Sequence, residues 1–271
     1  TAVIQCHTIG MHKAIQEIKN AIQSELQFID TIYDKRTAYL PKEYAETSSN
    51  SYLLGTSKEI IALENKNKFL IDIEHGQKTG FFLDQRDNRN LLTKYCADKS
   101  VLNTYCYSGG FSIYALNNMA KEVVSIDSSK TAMELVAKNI AANFKNKTVK
   151  HTTICDDVFH FFKISDLNFD VIILDPPAFA KNIAKRHNAV QAYKRLNAEG
   201  FKRINKGGIL FTFSCSQVVD KELFYSTVLS AAIEANRDVK ILHYLSQPAD
   251  HPINIFHPEG AYLKGLVLYV C

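Results

Sequence analysis

No two of the six cysteines stand in a C-x-x-C pair, and their spacings are irregular. That argues against a disulfide scaffold and against a zinc site, and it points to a reducing compartment. No apolar run approaches the roughly 18 residues that a membrane span needs. No signal peptide is visible, and the expected location is cytoplasmic. Internal repeats and low-complexity tracts are absent. Two phosphate-binding signatures are missing as well. There is no G-x-G-x-x-G, which removes the pyrophosphate cradle of NAD enzymes, and no G-x-x-x-x-G-K-[ST] for ATP.

What is present is ordinary for a folded protein. Of the 271 residues, 46% are apolar, ample for a core, and 22% are charged. The net charge of +4 permits an anionic partner without demanding one. The chain begins with Thr1, and residues 1–4 already read as a strand, so a fragment lacking its own beginning is expected. Residues 12–36 carry Ile15, Ile18, Ile22, Ile29 and Ile32 at helical spacing and predict one helix. Residues 38–57 are polar and aromatic and read as a linker. "EIIALE" and "KFLIDI", joined by "NKNK", predict a hairpin.

From Val101 onward, strands alternate with helices. Strands are expected in "VLNTYC", "EVVSID", "VKHTTICDD", "FDVIILD" and "GGILFTFSCS", each followed by a helix. The last two, "DVKILHYL" and "GAYLKGLVLYV", have no helix between them. The pattern predicts an α/β fold, a mostly parallel sheet covered on both faces with an antiparallel hairpin at its edge. Residues 1–80 are expected to form a small α+β subdomain and residues 81–271 the main domain.

In such a sheet, ligands bind beyond the carboxyl ends of the strands, near the switch point. Four loops are expected there. The first holds Asn103, Tyr105, Gly109 and Gly110, whose glycines let the backbone turn tightly beside a ligand. The second is Asp127, suited to accept hydrogen bonds from both hydroxyls of a ribose. The third is Cys155-Asp156-Asp157, where a carboxylate can accept from an adenine amino group. The fourth is Asp175-Pro176-Pro177. Each also has a purely structural explanation: paired glycines make turns, and an Asp after a strand caps the next helix. A ligand with adenine and ribose but no phosphate fits the set, and S-adenosylmethionine is the obvious one.

Five stretches, "GQKTGFFLDQRDNR", "LNTYCYSGGFSIYAL", "DVIILDPPAFAK", "GGILFTFSCS" and "QPADHPINIFHPEGAYLKG", together resemble the bacterial 23S ribosomal RNA methyltransferases that make 5-methylcytosine, the large-subunit methyltransferase I type. The likeness runs from the first helix to Cys271. It implies a class I methyltransferase fold, Rossmann-like with seven strands, here without the N-terminal PUA-type RNA-binding domain that the family usually carries. It implies that Asn103, Gly109, Asp127, Asp157 and Asp175 line the S-adenosylmethionine site, and that Gln85 and Arg86 reach it. An arginine suits a carboxylate such as that of methionine. Cys106 departs from the family's usual residue and places a second thiol near the cofactor.

C5 of cytosine is a poor nucleophile. A thiolate added to C6 makes C5 enamine-like, and cysteine is the side chain best suited to that role. Cys215 follows the fifth strand and Asp175 ends the fourth. Neighbouring strands lie roughly 4.8 Å apart, so both side chains can face one base. Asp175 is expected at the N3/N4 edge of the cytosine. Pro177 lies in the same loop, and Lys181, Lys185 and Arg186 beyond it suit RNA phosphates. Phe179 and Tyr193 offer stacking surfaces or core packing. His251 and His257 are placed to line the mouth without forming a metal site. Two other functions stay open: methylation of a base nitrogen such as guanine N7, which needs no cysteine, and a non-catalytic RNA-binding relative.

Overall fold

The computed structural model describes residues 1–37, 40–41, 49–57 and 59–271. The chain divides into two compact units. One comprises residues 1–62 and 70–82, the other residues 63–69 and 83–271.

The smaller unit contains a three-stranded sheet, β1 (Ala2–Ile4), β2 (Ile32–Asp34) and β3 (Ser51–Leu54), in that order. β1 and β2 are parallel, with Ala2 level with Ile32, and β3 is antiparallel to β2. The expected single helix over residues 12–36 is instead two short helices, α1 (Ile9–Lys13) and α2 (Ile15–Glu25), followed by β2. The isoleucine spacing therefore ran through two kinds of element. Ile32 is fully buried as a strand residue, because pairing with β1 outweighs a helical periodicity that is only a weak prior. Part of the expected linker is likewise strand β3. Residues 38, 39, 42–48 and 58 lie outside the described residues. β4 (Ile60–Glu64) and β5 (Asn67–Ile71) form the expected hairpin. Asn65 and Lys66 at its tip both have positive φ, the conformation of a two-residue type I′ turn.

The larger unit is built on a seven-stranded sheet in the order β11-β12-β10-β9-β6-β7-β8. Its strands are β6 (Ser100–Thr104), β7 (Glu122–Asp127), β8 (His151–Cys155), β9 (Phe169–Leu174), β10 (Ile204–Ser214), β11 (Val239–Leu245) and β12 (Lys264–Val270). All pairings are parallel except those of β12 with β10 and β11. β6 is buried at every residue, as a central strand covered on both faces must be. The helices are α3 (Arg86–Leu92), α4 (Gly110–Asn117), α5 (Lys130–Phe144), α6 (Val158–Ile164), α7 (Arg186–Arg203) and α8 (Lys221–Glu234). Strand order reverses between β6 and β9. The loops that leave them diverge there and open a crevice. Among the described residues no helix is long and apolar enough to cross a membrane.

Candidate active site

The loop after β6 turns sharply. Tyr105, Tyr107 and Gly109 all have positive φ, and Gly109 immediately precedes α4. A Cβ on Gly109 would sit 3.3 Å from both methyl carbons of Val136, and one on Gly110 would come within 2.9 Å of Cδ of Arg89. The positive φ at Gly109 and the tight contact with Arg89 at Gly110 both favour bare backbone there.

Asp127 closes β7 at the same end. Its Oδ2 accepts from Tyr107 N–H and its Oδ1 from Ser129 N–H, each at 3.0 Å. The helix cap that Asp127 was also suited to supply comes from Ser129, whose hydroxyl accepts from Ala132 N–H. Two backbone donors thus fix the carboxylate, and each oxygen retains acceptor capacity. Asp157 does act as a cap, accepting from His160 N–H at 3.0 Å. Asp156 lies 2.7 Å from the His160 ring, which helps hold its carboxyl below the usual range.

Asn103 is buried within the sheet. Its amide donates to Ser112 Oγ at 2.8 Å, and a chain of contacts continues through Ser125 to His151. Its Oδ1, also buried, makes no hydrogen bond. Gln85 is buried and accepts from Asn88 at 2.7 Å. Arg86 is half-exposed and pairs in bidentate fashion with Asp250, at 2.6 and 3.2 Å, and with Asp87 at 3.1 Å. Its guanidinium braces the 246–263 loop. Arg89 is the buried arginine of that stretch, paired bidentately with Glu64 at 2.8 Å.

The parallel register of β9 and β10 sets Leu174 level with Thr212. Asp175 is the residue after Leu174, and Cys215 is the third after Thr212. Ser214 and Ser216, on either side of Cys215, are fully buried. Ser216 donates through Oγ to the Ala180 carbonyl at 2.7 Å, which joins the loop after Cys215 to the loop after Asp175. Burial pushes the Asp175 carboxyl up to about 7, and the charge of Asp84 adds to it. A hydrogen bond from Gln85 and the positive charge of Arg89 act the other way.

Three residues not anticipated from sequence complete this end. Asp84 is buried, accepts from Tyr262 Oη at 2.7 Å, and keeps an Oδ1 with no hydrogen bond. Lys264 is buried at the start of β12, level with Ser214. Its one visible signal was a lysine inside an apolar strand. Asp84 and Tyr262 meet across 178 positions, and nothing local announces that.

Cys106 is buried against Met133 and Val136, and burial drives its thiol well above the ordinary value. Cys215 stays partly open to solvent. Phe179 and Tyr193 pack edge-on, centroids 4.7 Å apart, and Tyr193 is fully buried, so this pair belongs to the core. Lys181 and Lys185 are exposed beyond Pro177, and Arg186 reaches Asp220 at 3.2 Å. His251 and His257 lie beside Asp250 and Glu259.

A family profile described as S-adenosylmethionine-dependent methyltransferase matches residues 24–267. The chain belongs to this family. The "Ribosomal RNA large subunit methyltransferase I" of Tolumonas auensis is 40% identical over 272 residues, covering 98% of this chain and 68% of that protein. The protein of the same name from Aeromonas salmonicida is 41% identical over 244 residues, 88% of this chain. The chain spans 61% of that relative's length. A solved structure described as "A putative sam-dependent methyltransferase from Streptococcus mutans" has the same fold, with a TM-score of 0.84 at 23% identity over 98% of this chain and 68% of that one.

The family to which the chain belongs is described as S-adenosylmethionine-dependent, and the residues of this site fit that group. Gly109 and Gly110 turn the chain tightly against Val136 and Arg89, and the Asp127 carboxylate, anchored to the same loop through Tyr107 N–H, has acceptor capacity to spare for a ribose. The cofactor supplies an electrophilic methyl group.

Proposed function

We propose that the chain methylates C5 of a cytosine in large-subunit (23S) ribosomal RNA through a covalent bond between Cys215 and C6. The observation that carries this reading is the placement of a partly open thiol, Cys215, directly after β10, the strand paired with β9, which Asp175 follows; the Asp175 carboxyl is pushed up to about 7. The names of the relatives at about 40% identity support ribosomal RNA as the substrate.

In this scheme the Cys215 thiolate adds to C6 while protonated Asp175 gives its proton to N3. The electron pair moves to C5, which takes the methyl group. The C5 proton then leaves to water, the C6–S bond breaks, and N3 returns its proton to Asp175. A carboxyl titrating near neutrality suits both transfers. Asp127 takes the ribose hydroxyls, Asp156 and Asp157 the adenine side, and Tyr105, Gly109 and Gly110 form the cradle. Gln85 orders Asp175, and Arg86 closes the methionine side through the 246–263 loop. Pro177 shapes the loop after Asp175. Lys181, Lys185 and Arg186 meet RNA phosphates beyond it, and the target base is extruded or already unpaired.

The test is a ribosomal RNA fragment with 5-fluorocytosine at the target. Fluorine cannot leave as a proton does, so the adduct persists. The wild-type protein and Cys106→Ala are expected to trap it, and Cys215→Ala to trap none and methylate nothing while still binding cofactor. Methylation that survives in Cys215→Ala would replace this reading with methylation of a base nitrogen.

A further inference from the structure

We propose that Lys264 is a positioning residue that holds Cys215 as a thiolate, its buried ammonium serving as the counter-charge of the sulfur. The inference builds on the covalent role of Cys215 given above.

Lys264 is 5% exposed, which is rare for a lysine. Its Nζ donates to the Ser216 carbonyl at 2.7 Å and the Tyr262 carbonyl at 3.0 Å. Both acceptors are neutral backbone groups. Among the described residues it forms no ion pair with a carboxylate. A buried cation without a counter-charge is strongly disfavoured, and a third N–H remains to be used. One of its two acceptors is on the residue directly after Cys215. The antiparallel register puts Lys264 level with Ser214, the residue directly before it. The Lys264 backbone thus pairs beside the residue before the thiol, while its ammonium reaches the carbonyl of the residue after it.

The surrounding groups leave Lys264 that role. Among the described residues, the charge of Cys215 acts on Tyr193 from α7, on Tyr262 from the loop before β12, and on Lys264 itself. Both tyrosines are pushed up by burial and stay neutral at physiological pH. Burial lowers Lys264, and Cys215 and then Asp220, the cap of α8, oppose that. Asp175 faces the site from the end of β9 and Asp84 from beside it. Both are acids, and neither can supply a positive charge to the sulfur. A mere clamp between two loops would need hydrogen-bond donors. It would not need a charge, and the test separates the two.

The measurement is the pH dependence of iodoacetamide alkylation at Cys215 in the full chain, followed on its peptide by mass spectrometry. Neither RNA nor cofactor is required. Lys264→Met is expected to move the midpoint upward by about one unit, an alkylation rate at neutral pH roughly tenfold lower. Lys264→Arg is expected to keep the wild-type midpoint. Asp175 titrates in all these proteins and contributes equally to each profile. Should Lys264→Met fail to fold, Lys264→Gln, which keeps donors and loses charge, takes its place with the same expectation. An unmoved midpoint in a folded, uncharged variant overturns the proposal. A shifted midpoint without fluorocytosine trapping would leave the charge pairing standing and remove the cytosine chemistry.

Discussion

Ser216 and Ala180 are joined by a 2.7 Å hydrogen bond, which ties the loop that follows Cys215 to the loop that follows Asp175. The two parallel strands beneath supply the rest of the alignment. Ser216→Ala leaves the buried carbonyl without its partner. The expected loss is about 1–3 kcal/mol of stability, the range for an unsatisfied buried group. Urea unfolding of the variant measures it. A change within error would mean the two loops are held by packing alone.

Asp127 is fixed by two backbone N–H groups before any ligand arrives. Asp127→Ala is expected to weaken S-adenosylmethionine binding by about 1.5–3 kcal/mol, the range for hydrogen bonds to a charged group. Isothermal titration reads this directly, and unchanged affinity would move the ribose away from β7.

The sign of the pH effect at Asp175 follows from its raised carboxyl. Unfolded, it releases its proton near 3.8; folded, near 7. Between those values the folded state holds a proton that the unfolded state has lost. Stability from this group is therefore complete below about pH 4, declines as pH rises, and is gone above about 7, with a slope of at most about 1.4 kcal/mol per pH unit. Asp175→Asn, neutral throughout, is expected to flatten that part of the curve and to be the more stable protein at pH 8. Melting temperatures from pH 4 to 8 test this; parallel curves for the two proteins would contradict the shift.

Arg89 and Glu64 form a bidentate pair with both side chains almost fully buried. Glu64→Ala removes the bidentate carboxylate partner of the buried Arg89 guanidinium and should cost about 3–5 kcal/mol. Replacing both residues together with apolar ones should cost less than the single change, since no buried charge is then left alone. Chemical denaturation of the two variants decides the point, and equal losses would show that the pairing adds nothing beyond packing.

Much of the larger unit was legible along the chain. Apolar runs ending in glycine, aspartate or proline marked the strands, and their alternation with helices dictated a parallel sheet. The lack of a helix between the last two strands dictated the antiparallel edge. The tight turn at Gly109 and the strand-end position of Asp127 were legible because both are local features: a glycine pair before a helix, and an acid closing an apolar run. Local spacing misled over residues 12–36, where isoleucines of two helices and a strand happened to share one period.

Tertiary structure alone decided the rest. It gave the capping role to Ser129 rather than Asp127 and engaged Arg86 with Asp250. It also buried Cys106 and brought Asp84, Tyr262 and Lys264 to the end of the sheet where Cys215 and Asp175 lie. Each of these rests on contacts between residues far apart in sequence, or on which of two like groups is desolvated. A pattern of neighbours along the chain carries neither kind of information. Burial and charge become properties of a residue only once the strands are laid side by side.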